Sequence, residues 1–261
     1  MRIALGIEYD GANFCGWQVQ AQGRTVQGCV EQALAQVANH ELRVFCAGRT
    51  DTGVHATGQV VHFESDAVRS DRGWVRGANA HLPDDVAIVW AKPVSEEFHA
   101  RFSAQRRRYR YVIYSRPVRP TFLARRVTWE YRSLDIERMQ AAANHLIGEH
   151  DFSSYRAYGC QAKSPLRTVH ALQLSRSAGG EFIMLDIEAN AFLHHMVRNV
   201  VGVLSAIGAG EQAVDWSREV LQQRDRKLGG VTAPPHGLYL VGVEYPATFG
   251  IPYLSPPQMV W

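Results

Sequence analysis

In RIALGIEY the residues Ile3, Leu5, Ile7 and Tyr9 occupy every second position, the period of a strand with one buried face. TVQGCVEQALAQVANH changes to spacings of three and four, with Val26, Cys29, Val30, Ala33, Leu34 and Val37 on one stripe. That pattern predicts a helix with Thr25 as its N-cap. ELRVFCA and GQVVHFES read as extended, SDRGWVRGANAHL as a helix weakened by Gly73 and Gly77, and DVAIVWAKPV as a strand ending at Pro93. The order is strand, helix, strand, strand, helix, strand.

The second half repeats that order. YRYVIYS is a strand and LDIERMQAAANHLIGEH an amphipathic helix starting near Leu134. RTVHALQLSR and EFIMLDIEA form a hairpin across Ser177–Gly180. A helix is expected from Asn190 to Gly208, an additional one in VDWSREVLQQR, and a last strand in HGLYLVGVEYP. The fold class predicted is α/β (α+β), with two ferredoxin-like halves over residues 1–103 and 104–261. Their sheets are expected to lie edge to edge or around a central cleft. The loops at 10–24, 116–133 and 152–166 are long enough to reach a ligand.

Composition narrows the class. Of 261 residues, 46% are hydrophobic and 20% charged, as in an ordinary globular protein. No apolar run has the length of a membrane span, and Glu8 and Asp10 interrupt the N-terminal stretch before a signal peptide could form. A cytoplasmic location is the expectation. Cys15, Cys29, Cys46 and Cys160 show no C-x-x-C spacing, so a zinc ribbon or redox dithiol is disfavoured and all four read as free thiols.

Net charge is only +3, yet Phe98 to Arg132 holds ten arginines, one glutamate and no lysine or aspartate. RRRYRY interleaves arginine forks, which suit phosphates, with aromatic faces, which suit bases. A solvated cationic strand face explains the same residues, but the one-sidedness favours nucleic acid. CAGRTDTGVHA places Arg49, Asp51 and His55 among glycines. Gly48, Gly53 and Gly58 permit tight or left-handed backbone, so Asp51 would project from a rigid frame. Asp51 and Thr50 bonding only their own turn is the plain alternative.

GRTDTGVHATGQVVHF resembles the signature of the bacterial tRNA pseudouridine synthase A family. LGIEYDGANFCGWQ, FHARFSAQRRRYRYVIY, NAFLHHMVRNVVG and GLYLVGVEYP agree in colinear order over almost the whole chain. The resemblance implies the pseudouridine synthase fold, two halves sharing one mixed, mainly antiparallel sheet around an RNA-binding cleft. It implies uridine-to-pseudouridine isomerisation at positions 38, 39 and 40 of the tRNA anticodon stem-loop, by a homodimer, with no cofactor, metal or membrane. Asp51 matches the catalytic aspartate, Arg49 the base-flipping arginine and Tyr109 the tyrosine that stacks on the base. Arg198 matches the cation that pairs with the carboxylate, and Leu238 an apolar pocket residue. Phe98, His99, Ala100, Arg101 and Phe102 match an RNA-contacting run.

Arg24, Arg69 and Arg101 would hold phosphates. Arg198 would keep Asp51 ionised in a buried site. The carboxylate has three open routes: nucleophile at C1′, nucleophile at C6, or base at C2′. One central carboxylate suits isomerisation better than glycoside hydrolysis, which normally uses two. His194 and His195, adjacent on the expected helix, diverge too far to chelate as an i, i+4 pair. His55 is assigned to bracing the loop. The rivals are an RNA-binding module in which Asp51 is dispensable, and a hydrolase pairing His55 with Asp51. A methyltransferase is disfavoured for want of a Gly-rich nucleotide loop.

Overall fold

The computed structural model describes residues 1–252. The first part of the chain runs β1 (Arg2–Tyr9), α1 (Val26–Ala38), β2 (Phe45–Cys46), β3 (His55–Glu64), α2 (Asp71–Asn79) and β4 (Val86–Val94). The rest runs β5 (Arg106–Ser115), β6 (Thr128–Glu130), α3 (Ile136–Asn144), β7 (Gly148–Asp151), β8 (Leu166–Arg176), β9 (Phe182–Ala189), α4 (Met196–Gly208), α5 (Trp216–Gln223) and β10 (Leu238–Glu244). The order βαββαβ is therefore present twice, with β6, β7 and α5 added to the second copy. The described residues cluster into two compact units, Met1–Arg107 with residues 239–252, and Arg108–Leu238.

In the first unit the strands lie in the order β4-β1-β3-β10, with β2 also on β3. β1 pairs antiparallel with β3 and β4, while β10 joins β3 in parallel through Tyr239↔His55 and Leu240↔Ala56. Thr25 caps α1 as expected, its side chain accepting from the Gly28 N–H. Val26, Val30, Ala33 and Leu34 of the stripe are buried, as are Ile3, Leu5, Ile7 and Tyr9 of β1. Residues 1–103 were the expected first half, and β10 an element of the second. β10 instead clusters with the first unit, tied there by Gln105 N–H to Glu244 O at 2.8 Å and Tyr245 Oη to Ala100 O at 2.7 Å.

In the second unit the order is β5-β9-β8-β7, with β6 parallel to β5. β8 and β9 form the expected antiparallel hairpin, from Val169↔Ala189 to Arg176↔Ile183. α3 stops at Asn144, not His150, because Leu146 turns into the core and Gly148, at φ +105°, redirects the chain into β7 against β8. The helix expected from Asn190 begins at Met196. His195 adopts φ 61° as its N-cap, so NAFLHH is irregular and the two histidines precede the helix. Helical geometry therefore does not separate them, and their rings lie together at 4.0 Å.

Candidate active site

The loop carrying Asp51 spans residues 47–54 between β2 and β3 and is fixed almost entirely through its backbone. Trp17 N–H donates to Thr50 O at 3.0 Å, Gly53 N–H to Phe14 O at 3.4 Å, and Val54 N–H to Asp51 O at 3.1 Å. Buried Gln59 donates from Nε2 to Gly48 O at 2.7 Å, and Tyr9 Oη meets Thr50 Oγ1 at 2.8 Å. The segment 10–17 is pressed against this loop. A Cβ on Gly16, whose φ is +90°, would stand 2.7 Å from Thr50 O and 3.1 Å from Asp51 C. Only glycine fits there, on both conformational and contact grounds. Of the three glycines expected to supply unusual backbone, Gly53 alone is left-handed, at φ +77°.

Asp51 is half-buried and Arg49 exposed, while Thr50 between them is buried. The loop thus presents two charged side chains from a backbone anchored by a buried polar network. Such a frame is costly to desolvate unless every group finds a partner, which is what these bonds supply. The arrangement suits a carboxylate that must be held in one place. Sequence reasoning assigned no role to Tyr9, Gly16, Trp17 or Gln59; a glycine followed by a tryptophan in a polar loop was the available signal.

His55 is a brace, as expected. It is buried, its ring stacks on Tyr239 at 4.6 Å and 18°, and its Nδ1 accepts the Gly11 N–H at 3.0 Å. Asp10 Oδ1 lies 3.1 Å from the same nitrogen, but it also accepts the Ala12 N–H at 3.0 Å. A covered ring face and an engaged Nδ1 leave His55 poorly placed to serve a hydrolase as its base. Burial pushes the Cys46 thiol up to about 12 against the pull of Arg49, Arg101 and Arg107, so it stays protonated at neutral pH.

The remaining expected residues of the first unit divide by exposure. Phe98 and Ala100 are both 0% exposed. Phe98 packs on Tyr245 and Phe249, and Ala100 bonds His62 Nδ1 through its N–H. Both belong to the core and their side chains cannot touch RNA. Phe102 is 76% exposed and Arg101 exposed with its guanidinium over that ring, while His99 packs edgewise between Phe102 and His62. Arg24 is not a free phosphate fork: it is bidentate to Asp85 at 2.6 and 2.7 Å and lies over Phe14. Arg69 is exposed and bonds Val37 O and Val68 O.

The second unit holds the other candidates. Tyr109, on β5, is buried with its ring edge-on to Phe192 at 5.0 Å. Arg198, on α4, donates from Nε to Ala233 O at 2.8 Å, and its own carbonyl accepts the Ala233 N–H at 3.1 Å. Asn199 completes the clamp: its Oδ1 accepts from Thr232 Oγ1 at 2.7 Å and Arg226 Nη2 at 3.0 Å. Tyr111 Oη donates to Pro234 O at 2.7 Å, so β5 and α4 are both tied to the segment that leads to buried Leu238.

The arginine run is more structural than its composition implies. Arg108 pairs with Glu188 at 2.6 Å and Arg110 with Asp186 at 2.8 Å, two rungs between β5 and β9. Buried Arg107 donates to the carbonyls of Ala47, Arg101 and Ala104. Glu188 and Asp186 lie far along the chain, so a window over residues 98–132 cannot see them.

A family model described as tRNA pseudouridine synthase matches residues 6–103 and 142–246. A tRNA pseudouridine synthase A from Nitrosococcus oceani is 59% identical, over 100% of this chain and 100% of its own. One from Alcanivorax borkumensis is 58% identical over 96% and 94%, and one from Pseudomonas aeruginosa 56% over 98% and 90%. Among solved structures, a chain of a Cbf5-Nop10-Gar1 complex is 12% identical with a TM-score of 0.38, covering 78% of this chain and 45% of that one.

Proposed function

Since the chain belongs to the tRNA pseudouridine synthase family and so isomerises uridine to pseudouridine in tRNA, we propose that Asp51 is its catalytic carboxylate and that its targets are positions 38, 39 and 40 of the anticodon stem-loop. The observation that carries the assignment of Asp51 is its frame. A half-exposed carboxylate stands on a loop whose backbone is pinned at Gly48, Thr50, Asp51 and Gly53. Pre-set geometry of this kind is what a reaction at one sugar carbon requires.

The reaction breaks the N1–C1′ bond, rotates the uracil and forms the C5–C1′ bond. C5 loses its proton to water and N1 gains one, so the product is an isomer and no redox partner enters. Asp51 acts as a nucleophile at C1′ or C6, or as a base at C2′; each route needs one carboxylate held against the sugar or base. The target uridine leaves its stack at a cost of a few kcal/mol. Exposed Arg49 occupies the vacated space, Tyr109 offers an aromatic face, Arg198 pairs with the carboxylate and Leu238 lines the pocket. Exposed Arg101 and Phe102, with Arg69, contact the RNA backbone and its bases. The working form is a cytoplasmic homodimer that needs no cofactor.

Unmodified tRNA tritiated at uracil C5 tests this reading. The protein releases tritium to water while the RNA chain stays intact. Asp51→Asn releases none, yet still shifts tRNA on a native gel. Tritium release by Asp51→Asn, or free uracil in place of pseudouridine, overturns the assignment.

A further inference from the structure

We propose that Tyr9 is a positioning residue for this reaction, acting on Asp51 through Thr50. The inference rests on the catalytic role given to Asp51 above. Tyr9 ends β1 and is 5% exposed, and its ring leans on Trp17 at 6.0 Å. A phenylalanine would fill that space equally well. The buried phenol oxygen is a cost unless a partner offsets it. Its partner is Thr50 Oγ1 at 2.8 Å, on the residue directly before Asp51. Gln59 Nε2 lies 3.5 Å behind the same oxygen and 2.7 Å from Gly48 O, which ties the phenol to the loop backbone. The amide donates to the phenol, and the phenol and threonine hydroxyls share one further hydrogen bond.

Thr50 is thereby held at two points. Its carbonyl accepts the Trp17 N–H at 3.0 Å and its side-chain hydroxyl bonds the Tyr9 hydroxyl at 2.8 Å. Held at the carbonyl alone, the peptide plane between Thr50 and Asp51 can rock about that one bond. Held at both, it cannot, and the direction in which the Asp51 side chain leaves the backbone is set. A misplacement of about 1 Å at a reacting group lowers rates by up to about a hundredfold. Tyr9 acts at one remove from the substrate; it determines where the carboxylate waits.

The test compares Tyr9→Phe, Thr50→Val, the double variant and Thr50→Ser with the unaltered chain. Single-turnover tritium release, tRNA affinity and thermal midpoint are measured for each. Tyr155→Phe is the control, because it deletes another buried phenol, bonded to Ser217 O at 2.9 Å in the second unit. Tyr9→Phe and Thr50→Val are each expected to slow the chemical step by about tenfold with tRNA affinity within about twofold. The double variant is no slower than either single one, Thr50→Ser recovers the rate, and Tyr155→Phe loses thermal stability but not rate. Thr50→Val reads the same bond should Tyr9→Phe fail to fold. Unaltered rates in both singles, or additive losses in the double, overturn the proposal. If Asp51→Asn itself still turns over, the underlying reading has failed; if it is dead while Tyr9→Phe is fully active, only the role of Tyr9 has.

Discussion

A strict constraint on the loop that carries Asp51 is not a charged residue. Gly16 combines a left-handed backbone with contact on the peptide units of Thr50 and Asp51. Gly16→Ala should destabilise the fold by about 1–3 kcal/mol, read as a lower urea midpoint, and should slow tritium release beyond what that loss explains. An alanine variant with the stability and rate of the original chain would show that the loop has room there. That Asp51 stands on a braced loop between two strands was legible because its motif is local: Arg49, Asp51 and Gly53 sit within five positions of one another. The FHARF run was not legible to the same degree. Alternate exposure of Phe98 and Phe102 follows from what packs over each, and Tyr245 and Phe249 come from nearly 150 positions away.

At the scale of elements, helices carried the clearest signal, since a stripe of six apolar residues and a capping threonine determine α1 without tertiary help. The short strands β6 and β7 have too few residues to show any period and exist because a neighbouring strand pairs with them. The β5–β9 ladder gives an element-scale prediction. Arg110→Ala is expected to lower stability by about 1 kcal/mol, seen in the thermal midpoint, while tRNA affinity stays within about twofold. A weaker complex with a shallower salt dependence would instead return Arg110 to the phosphate-binding set. β3 gives another. His62, paired with Phe45 of β2, is held at about 4 by burial first, then by His99 and Arg2, with Glu64 pulling the other way. The unfolded chain takes up that proton first, so the stability is complete above about 6.5 and is lost as the pH falls toward about 4. His62→Gln should flatten the fall in thermal midpoint between about pH 7 and about pH 5. An unchanged slope would place the acid sensitivity elsewhere, with His99 the next group lowered by burial.

At the scale of the molecule, both copies of βαββαβ were readable from element order, because each element obeys its own period. The allegiance of the last strand was not readable. HGLYLVGVEYP is equally apolar on both faces, and all but the last residue of β10 is buried, so its sequence names no partner. Register decides it, through Tyr239↔His55 and Leu240↔Ala56. A chain ending at residue 237 should therefore lose amide hydrogen-exchange protection at the start of β3, some 180 positions upstream, while α4 in the second unit keeps its own. Retained protection in β3 would mean that the first unit is complete without its returning strand.

That returning strand makes the first unit discontinuous, with the whole of Arg108–Leu238 interposed between its two pieces. On the ribosome the usual order, N-terminal portion first, is thereby inverted. At a synthesis rate of about 5–20 residues per second, the early strands wait on the order of ten seconds for β10 to emerge, with the start of β3 lacking its parallel neighbour. The interposed unit has no such wait, since its helices and its hairpin are contiguous in translation. The nascent polypeptide therefore passes through a stage in which its middle is finished before its beginning, and that interval is when a chaperone or an aggregating neighbour would find it most vulnerable.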